Sequence, residues 1–462
     1  MVKMELSKLI HIDEEKCINC HQCIAACPVK FANDGSDKVV HVNHNLCIGC
    51  GQCIHACTHK ARLPIDDFDS FLNDLVKQKD KMIAVVAPAV ASNFPETYLK
   101  LNGWLKSLGV EAFFDVSFGA ELTVKSYIEH VKANAPKAVI AQPCPAIVSY
   151  IQIYKPSLLQ YLAPADSPML HTIKMVKQFY PKYQKHKVVV ISPCIAKKRE
   201  FDETGLGDYN VTISSIKNYI ESQKINLKDF PDLNFDNDSA ERAVLFSTPG
   251  GLLETAEREV PQIRNSTRKI EGVHTIYNYL NSLEDAINKG FNPTIIDCLN
   301  CELGCNGGTG TQNHNAQQDE LEFYIKTRKD QLVNEYRTEQ NEGALNDLRD
   351  LINKYWQDGL YSREYQNYHK SNYEALIKTP SKNEMDELLH SMAKYSTDDL
   401  KNCASCGYNN CEEMAKAIFN GYNKKENCHF FLVHKVDERT HELISNTEEF
   451  LEVTHKVRTI IG

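Results

Sequence analysis

The sequence predicts a multidomain α/β protein with four parts: a small N-terminal module, a larger domain of alternating strands and helices, a small helical domain and a C-terminal helix. Three observations predict it. Sixteen of the seventeen cysteines fall into sets of four. Between residue 82 and about residue 300, β-branched-rich runs alternate with helix-like segments. The chain closes on a stretch whose apolar residues recur every seven positions. The expected boundaries are 1–62, 80–375, 382–430 and 431–462. At 462 residues, with 42% apolar and 24% charged, the chain is long enough for several domains and apolar enough for real cores. A net charge of -9 gives no basic footprint for nucleic acid. The longest apolar run, near Ile83 to Val90, is broken by Pro88, so no membrane-spanning segment is expected.

The N-terminal module is read from its cysteines. Cys17, Cys20, Cys23 and Cys27, followed by Pro28, form a C-x2-C-x2-C-x3-C-P run; Cys47, Cys50, Cys53 and Cys57 repeat it, with Thr58 in place of the proline. Sets of four suit cubane 4Fe-4S clusters, in which each iron takes one thiolate, and in tandem runs the fourth cysteine ligates the other cluster. Cys17, Cys20, Cys23 and Cys57 are therefore expected to hold one cubane, and Cys47, Cys50, Cys53 and Cys27 the second. Zinc is the weaker alternative, since its sites use two separated C-x2-C pairs. His21, His55 and His59 are expected to be surface or hydrogen-bonding residues. Metal-ligand cysteines, with Met1 to Glu15 charged and without a hydrophobic stretch, place the protein in a reducing, cytoplasmic compartment, in an anaerobic setting.

In the large domain, strands are expected at Ile83–Ala87, Ala112–Val116, Ala138–Ala141, Val188–Ile191 and Thr294–Ile296, with a helix from about Ala120 to Lys132. Cys144, Cys194 and the pair Cys301 and Cys305 fall just past three of these strands. Open α/β sheets place their sites beyond the carboxyl ends of strands, so these four cysteines are expected to share one site.

Here the sequence resembles a known family. Gln142-Pro143-Cys144-Pro145, Ser192-Pro193-Cys194 through Lys197 to Glu200, and Cys301-Glu302-Leu303-Gly304-Cys305-Asn306-Gly307-Gly308 look like the three active-site loops of iron–iron hydrogenases. Thr248 to Glu254 resembles a Gly-Gly segment of that family. The resemblance implies that Cys144, Cys194, Cys301 and Cys305 hold a cubane. Cys305 would bridge it to a two-iron subsite carrying carbon monoxide, cyanide and a dithiolate, the whole being the H-cluster. It implies that Lys197 contacts a cyanide, that Glu200 lies near that lysine, and that Ser167-Pro168 belongs to a proton route.

The departures from the family bear on function. Hydrogen-producing members carry a proton-passing cysteine where this chain has Pro143, which has no proton to give. The route's glutamates do not align; Tyr127 and His130 lie near where they would fall. Ser192 and Leu299 stand where two methionines pack around the subsite. Positioned acid–base groups contribute about 10²–10⁴ in rate, so slow turnover is expected, as in the family's sensory branches. Cys298 is expected to be a buried structural thiol, with a proton donor or a cluster neighbour as the alternatives.

Residues from about Asp319 to Lys394 read as charged, tyrosine-rich helices, with a linker near Thr379-Pro380-Ser381. Cys403, Cys406, Cys411 and Cys428 then resemble a small 4Fe-4S domain found beside redox enzymes, with a zinc knuckle as the alternative. Its helix is expected from Glu412 to Asn420, capped by Asn410 and stopped by Gly421. In the tail, Val436, Leu443, Phe450 and Val457 form one seam and Thr440, Thr447, Thr454 and Ile461 a weaker second one. That pattern suits a homodimer helix or a signalling helix, and a helix packed on its own chain equally. The end at Ile460-Ile461-Gly462 raises the expectation of a downstream signalling domain.

Three readings stand. One is a sensory hydrogenase with three 4Fe-4S clusters and an H-cluster, binding H2 and relaying electrons to the tail. Another is a catalytic hydrogenase exchanging electrons with ferredoxin or another redox partner. The third is an iron–sulfur carrier without the two-iron subsite. The first two need hydrogenase maturation proteins.

Overall fold

A computed structural model describes residues 5–336 and 343–462. The chain forms two compact units. The first comprises residues 5–11, His44–His55 and Arg62–Tyr373; the second comprises Ile12–Asn43, Ala56–Ala61 and Glu374–Gly462.

The first unit is built on parallel strands. β1 (Met82–Val86), β2 (Ala112–Asp115), β4 (Lys187–Ser192) and β5 (Tyr209–Thr212) form a four-stranded sheet in the order β2-β1-β4-β5. β3 (Val139–Ile140), β6 (Thr267–Glu271) and β7 (Ile295–Leu299) form a three-stranded sheet in the order β6-β7-β3. Every pairing in both sheets is parallel. The larger sheet is buried on both faces, which is why β1 and β4 read as continuous apolar runs. Alternate side chains point to opposite sides. Met82, Ala84, Val189 and Ile191 face a core with Phe71, Trp104 and Leu105. Ile83, Val85, Val188 and Val190 face one with Phe114, Phe118 and Leu170.

Two strands of these two sheets are absent from the sequence expectation, β5 (Tyr-Asn-Val-Thr) and β6 (Thr-Arg-Lys-Ile-Glu). Each lies at one end of its sheet, where polar and charged residues are tolerated.

Helices follow the strands. α1 (Val116–Asn134) starts directly after β2, where the Asp115 carboxylate accepts from Ser117 N at 2.9 Å and caps it. α2 (Pro145–Tyr154) and α3 (Pro168–Phe179) each open on a proline at the first helical position. Then come α4 (Lys197–Thr204), α5 (Gly251–Glu259) and α6 (Val273–Asn288). α7 (Gln318–Tyr336) and α8 (Gly343–Tyr355) are the charged helices expected beyond residue 319. Buried Arg328 on α7 pairs with Asp115 at 2.5 Å, which ties that helix to the end of β2.

In the second unit, Ser381 caps α9 (Lys382–Ser391) in a reciprocal capping box with Glu384, and Pro380 beside it is buried; this is the segment expected as a linker. α10 (Cys411–Phe419) begins where expected: Asn410 Oδ1 accepts from Glu413 N at 2.7 Å. Gly421, at φ +74°, follows it in a left-handed turn. The tail is α11 (His429–Ile461), a single helix of 33 residues. Leu443 and Phe450 are about 70% exposed along it (70% and 71%). Thr440, Thr447 and Thr454 donate their hydroxyls to the carbonyls of Val436, Leu443 and Phe450, each at 2.7 Å. The weaker seam has therefore satisfied its polar atoms within the helix and offers methyl groups. Among the described residues, no helix is long and apolar enough to cross a membrane.

Candidate functional site

The three expected loops lie at the carboxyl ends of parallel strands in the first unit. Cys144 follows β3 and is the residue before α2. Cys194 follows β4 and precedes α4. Cys301 and Cys305 follow β7. Close packing holds the loops together. Gly304 has φ +60°, and a Cβ there would run into the carbonyl of Ser247, the residue just before the Gly-Gly segment. A Cβ on Gly308 would sit 2.5 Å from Pro193 O, so the turn after Cys305 closes directly on the Cys194 loop. Gly310 N donates to the same carbonyl at 2.7 Å.

Three of the four thiols are raised by burial and by neighbouring cysteines of the set. Burial pushes the Cys194 thiol up to about 11, and neighbouring Cys144 adds to it. Burial, then Cys144 and Cys194, push Cys305 up to about 12. Cys301 is raised well above the usual thiol range by burial and by the other three cysteines. Lys197 works the other way on Cys194 and Cys305. Cys194, Cys301 and Cys305, which resist ionisation alone, would become thiolates on binding a cationic cluster, because metal coordination deprotonates a thiol outright.

Beside Cys305 lies a small cavity lined by Pro143, Pro168, Met169, Pro193 and Phe246, with Lys197 its one cation. It leaves about 50 Å³ for the centres of water-sized molecules. Two larger clefts of about 410 and 510 Å³ lie elsewhere in the unit and touch none of the four cysteines. The small cavity combines a thiol, a cation and a largely apolar wall. A two-iron group bearing anionic diatomic ligands needs these partners, so the residues present fit it.

Lys197 is buried and pairs with Glu200 Oε2 one helical turn on. Glu200 Oε1 accepts from Arg363 Nη1 at 2.7 Å, and Arg363 Nη2 reaches Glu203 at 2.8 Å. Burial opposes the charge on Glu200, yet Lys197 and Arg363 outweigh it and hold the carboxyl below its ordinary value, with the Ser167 hydroxyl helping. Ser167 caps α3, whose first residue, Pro168, lines the cavity. Of the other expected pocket residues, Ser192 donates to Asn210 Oδ1 at 2.6 Å and Leu299 is buried at the end of β7; neither lines the cavity. Cys298 is fully buried on β7, its thiol 3.5 Å from Ala141 O. Tyr127 is buried with its hydroxyl toward Gln142 N, and His130 is half-buried beside Asn134.

The loop Cys47–Cys53 packs on the same unit. Buried Arg199 donates to the carbonyls of Cys47 and His44, the latter at 2.7 Å. Gly49, at φ +76°, lets the loop approach Ala196, to whose Cβ a glycine Cβ would stand 2.9 Å away. Asn300 Nδ2 lies 3.5 Å from Cys50 O. His55 stacks on His314 at 4.4 Å, and burial pushes it down to about 4.

In the second unit, Cys17, Cys20, Cys23 and Cys57 share a unit with Cys403, Cys406, Cys411 and Cys428. Backbone N–H groups of Val40 and Ala61 point at the sulfurs of Cys17 and Cys57 at 3.4 and 3.3 Å. The cysteine-rich segment beginning at Cys403 packs on the helix Gln22–Ala25: Gly407, at φ +87°, abuts Ile24, and Tyr408 meets Phe31 at 6.1 Å. Arg363, Arg199, Asn300 and its neighbour Tyr277 were not singled out from the sequence. Arg199 and Asn300 adjoin cysteine motifs, which is the signal that could have found them; Arg363 carries none.

Residues 80–309 match the family model of the iron only hydrogenase large subunit, C-terminal domain, and residues 9–58 match a 4Fe-4S dicluster domain. Residues 401–430 match a further Fe-S cluster model. The Periplasmic Fe hydrogenase large subunit of Nitratidesulfovibrio vulgaris is 31% identical over 284 residues, 54% of this chain and 67% of that protein. Iron hydrogenase 1 of Clostridium pasteurianum is 25% identical over 323 residues, 61% of this chain and 56% of that protein, so the match spans little more than half of that relative. A cytosolic Fe-S cluster assembly factor of Encephalitozoon cuniculi is 22% identical, over 50% of this chain and 68% of that protein. A solved apo FeFe-hydrogenase from Chlamydomonas reinhardtii, in a single-residue variant, superposes with a TM-score of 0.51 at 17% identity over 66% of this chain and all of that one, a likeness of fold. The chain is an iron–sulfur protein and belongs to the iron-only hydrogenase family.

Proposed function

We propose that this chain is a hydrogen-binding, slowly turning-over member of the family, of the sensory kind. Cys144, Cys194, Cys301 and Cys305 would hold a cubane, and the cavity beside Cys305 would take a two-iron group. When bound, that group supplies the two-electron chemistry of hydrogen. The chain's own residues do the rest. Lys197 offers an ammonium to anionic ligands, Glu200 and Arg363 hold that lysine in place, and the proline and methionine walls exclude water. The two N-terminal cysteine runs and the C-terminal set hold three further 4Fe-4S clusters that carry electrons. Under this reading the protein is cytoplasmic, is loaded by maturation proteins and exchanges electrons with ferredoxin or another redox partner. The four-part division 1–62, 80–375, 382–430 and 431–462 belongs to the same reading, with α11 as the helix that pairs with a second copy or leads to a signalling partner.

The observation that carries the proposal is the cavity at Cys305: Lys197 is present in its wall, while Pro143 occupies the position from which a thiol would pass protons. Infrared spectroscopy of the anaerobically matured protein under argon and then hydrogen tests it. Carbonyl and cyanide bands that shift with hydrogen, together with slow turnover, are expected. The kinship with an Fe-S cluster assembly factor favours one second reading, a protein with cubanes only; complete absence of such bands after maturation would establish that reading instead.

A further inference from the structure

Asn300 stands between β7 and Cys301. Its amide Nδ2 is 3.6 Å from Cys301 Sγ and 3.5 Å from Cys50 O. An amide nitrogen carries two hydrogens, so one group can address both partners, and sulfur accepts at longer range than oxygen. Oδ1 accepts from the Tyr277 hydroxyl at 2.6 Å, which fixes which end of the amide faces the sulfur. Both side chains are buried, at 1% and 4% exposure. Tyr277 is held in turn by Tyr150, whose ring centroid is 4.5 Å away and whose hydroxyl donates to Asn281 at 2.8 Å. One buried amide therefore spans a ligand loop of the N-terminal cysteine runs and a ligand sulfur of the large domain's own set.

We propose that Asn300, oriented by Tyr277, is the positioning residue that couples these two cysteine sets, raising the reduction potential of the cubane on Cys301 and providing the short polar bridge for electrons between the two. This rests on the reading of Cys144, Cys194, Cys301 and Cys305 as cubane ligands. The physical basis is that reduction adds negative charge to the cluster and its sulfurs, and an N–H donor to a ligand sulfur stabilises that charge. The step is a bare electron transfer: one cubane is oxidised and the other reduced by one electron, with no proton moved.

The test is a potentiometric titration of the full chain, anaerobically reconstituted to about 16 irons from four cubanes, reduced with dithionite and followed by electron paramagnetic resonance. One signal should shift to lower potential in Tyr277→Phe, further in Asn300→Ala, and furthest in Asn300→Asp, which places a carboxylate where the donor was. The signals of the Cys17 and Cys403 sets should stay put. Intercluster spin coupling should weaken in the same order. Unchanged potentials at full iron content would overturn the proposal. If the Asn300 variants lose iron, Tyr277→Phe decides it, since it keeps the ring and removes only the orienting hydroxyl. A wild-type chain that takes up only about 12 irons would overturn the reading of the site, and the proposal with it; that result is distinct from four intact cubanes with unmoved potentials.

Discussion

The cysteine set of the large domain and the set at the C-terminus are built in opposite ways. Cys144, Cys194, Cys301 and Cys305 come from loops after three different strands, and burial has raised three of the four thiols. Cys403, Cys406, Cys411 and Cys428 lie within 26 residues of one another; Cys403 is exposed, its thiol lowered by the hydrogen bond with Ser405, while the other three are buried. The first set exists only once two parallel sheets have formed. The second needs little more than a capped helix and a glycine turn. A site assembled by the fold can set a cation such as Lys197 beside thiols drawn from three separate loops; a site assembled by local sequence draws on one short segment.

That contrast can be broken deliberately. The largest effect is expected from Cys194→Ser, which should remove the large domain's cubane and every carbonyl band at once, whereas Cys403→Ser should cost only the C-terminal cluster; iron content and infrared spectra of both variants check this. Pro143→Cys should next raise turnover by about 10²–10⁴-fold if the missing proton donor limits the rate, read by hydrogen-evolution assay. Arg363→Met leaves Glu200 buried with one partner fewer and should destabilise the first unit by about 3–5 kcal/mol, read by anaerobic denaturant unfolding. The same pair sets an acid limit. The folded carboxyl of Glu200 titrates below its ordinary value. Its contribution is therefore complete above the unfolded pKa of about 4.3 and is lost as pH falls through the lower folded value. Glu200→Gln should flatten that part of the stability profile. The smallest effect, about 1 kcal/mol, is expected from Asn410→Ala, which removes the cap of α10; a lowered thermal midpoint with the large domain's spectrum untouched would confirm how local that set is.

Legibility from sequence follows the same division. The tandem runs, the Asn410 cap and the Gly421 stop are local and were readable as they stand. β1 and β4 were readable because burial on both faces leaves unbroken apolar runs. β5 and β6 were missed because strands at the ends of their sheets keep polar residues, and Thr-Arg-Lys-Ile-Glu looks like surface. In the site, Lys197 and Glu200 sit at motif spacing from Cys194. Arg363, which completes their ion-pair chain, lies 163 residues from Glu200 and has no local mark. Asn300 adjoins a motif, but only the packing of Cys50 and Tyr277 around it reveals what its amide does.

One joint in the second unit has a mechanical consequence. Cys428 is both the last cysteine of the C-terminal set and the residue at the N-cap position of α11. A helix of 33 residues extends about 50 Å. A tilt of roughly 1° at that cap sweeps the far end through almost 1 Å, by the geometry of a rigid rod of that length. Under the proposed reading, the residue that would bind the cluster would therefore also be the pivot of a lever arm.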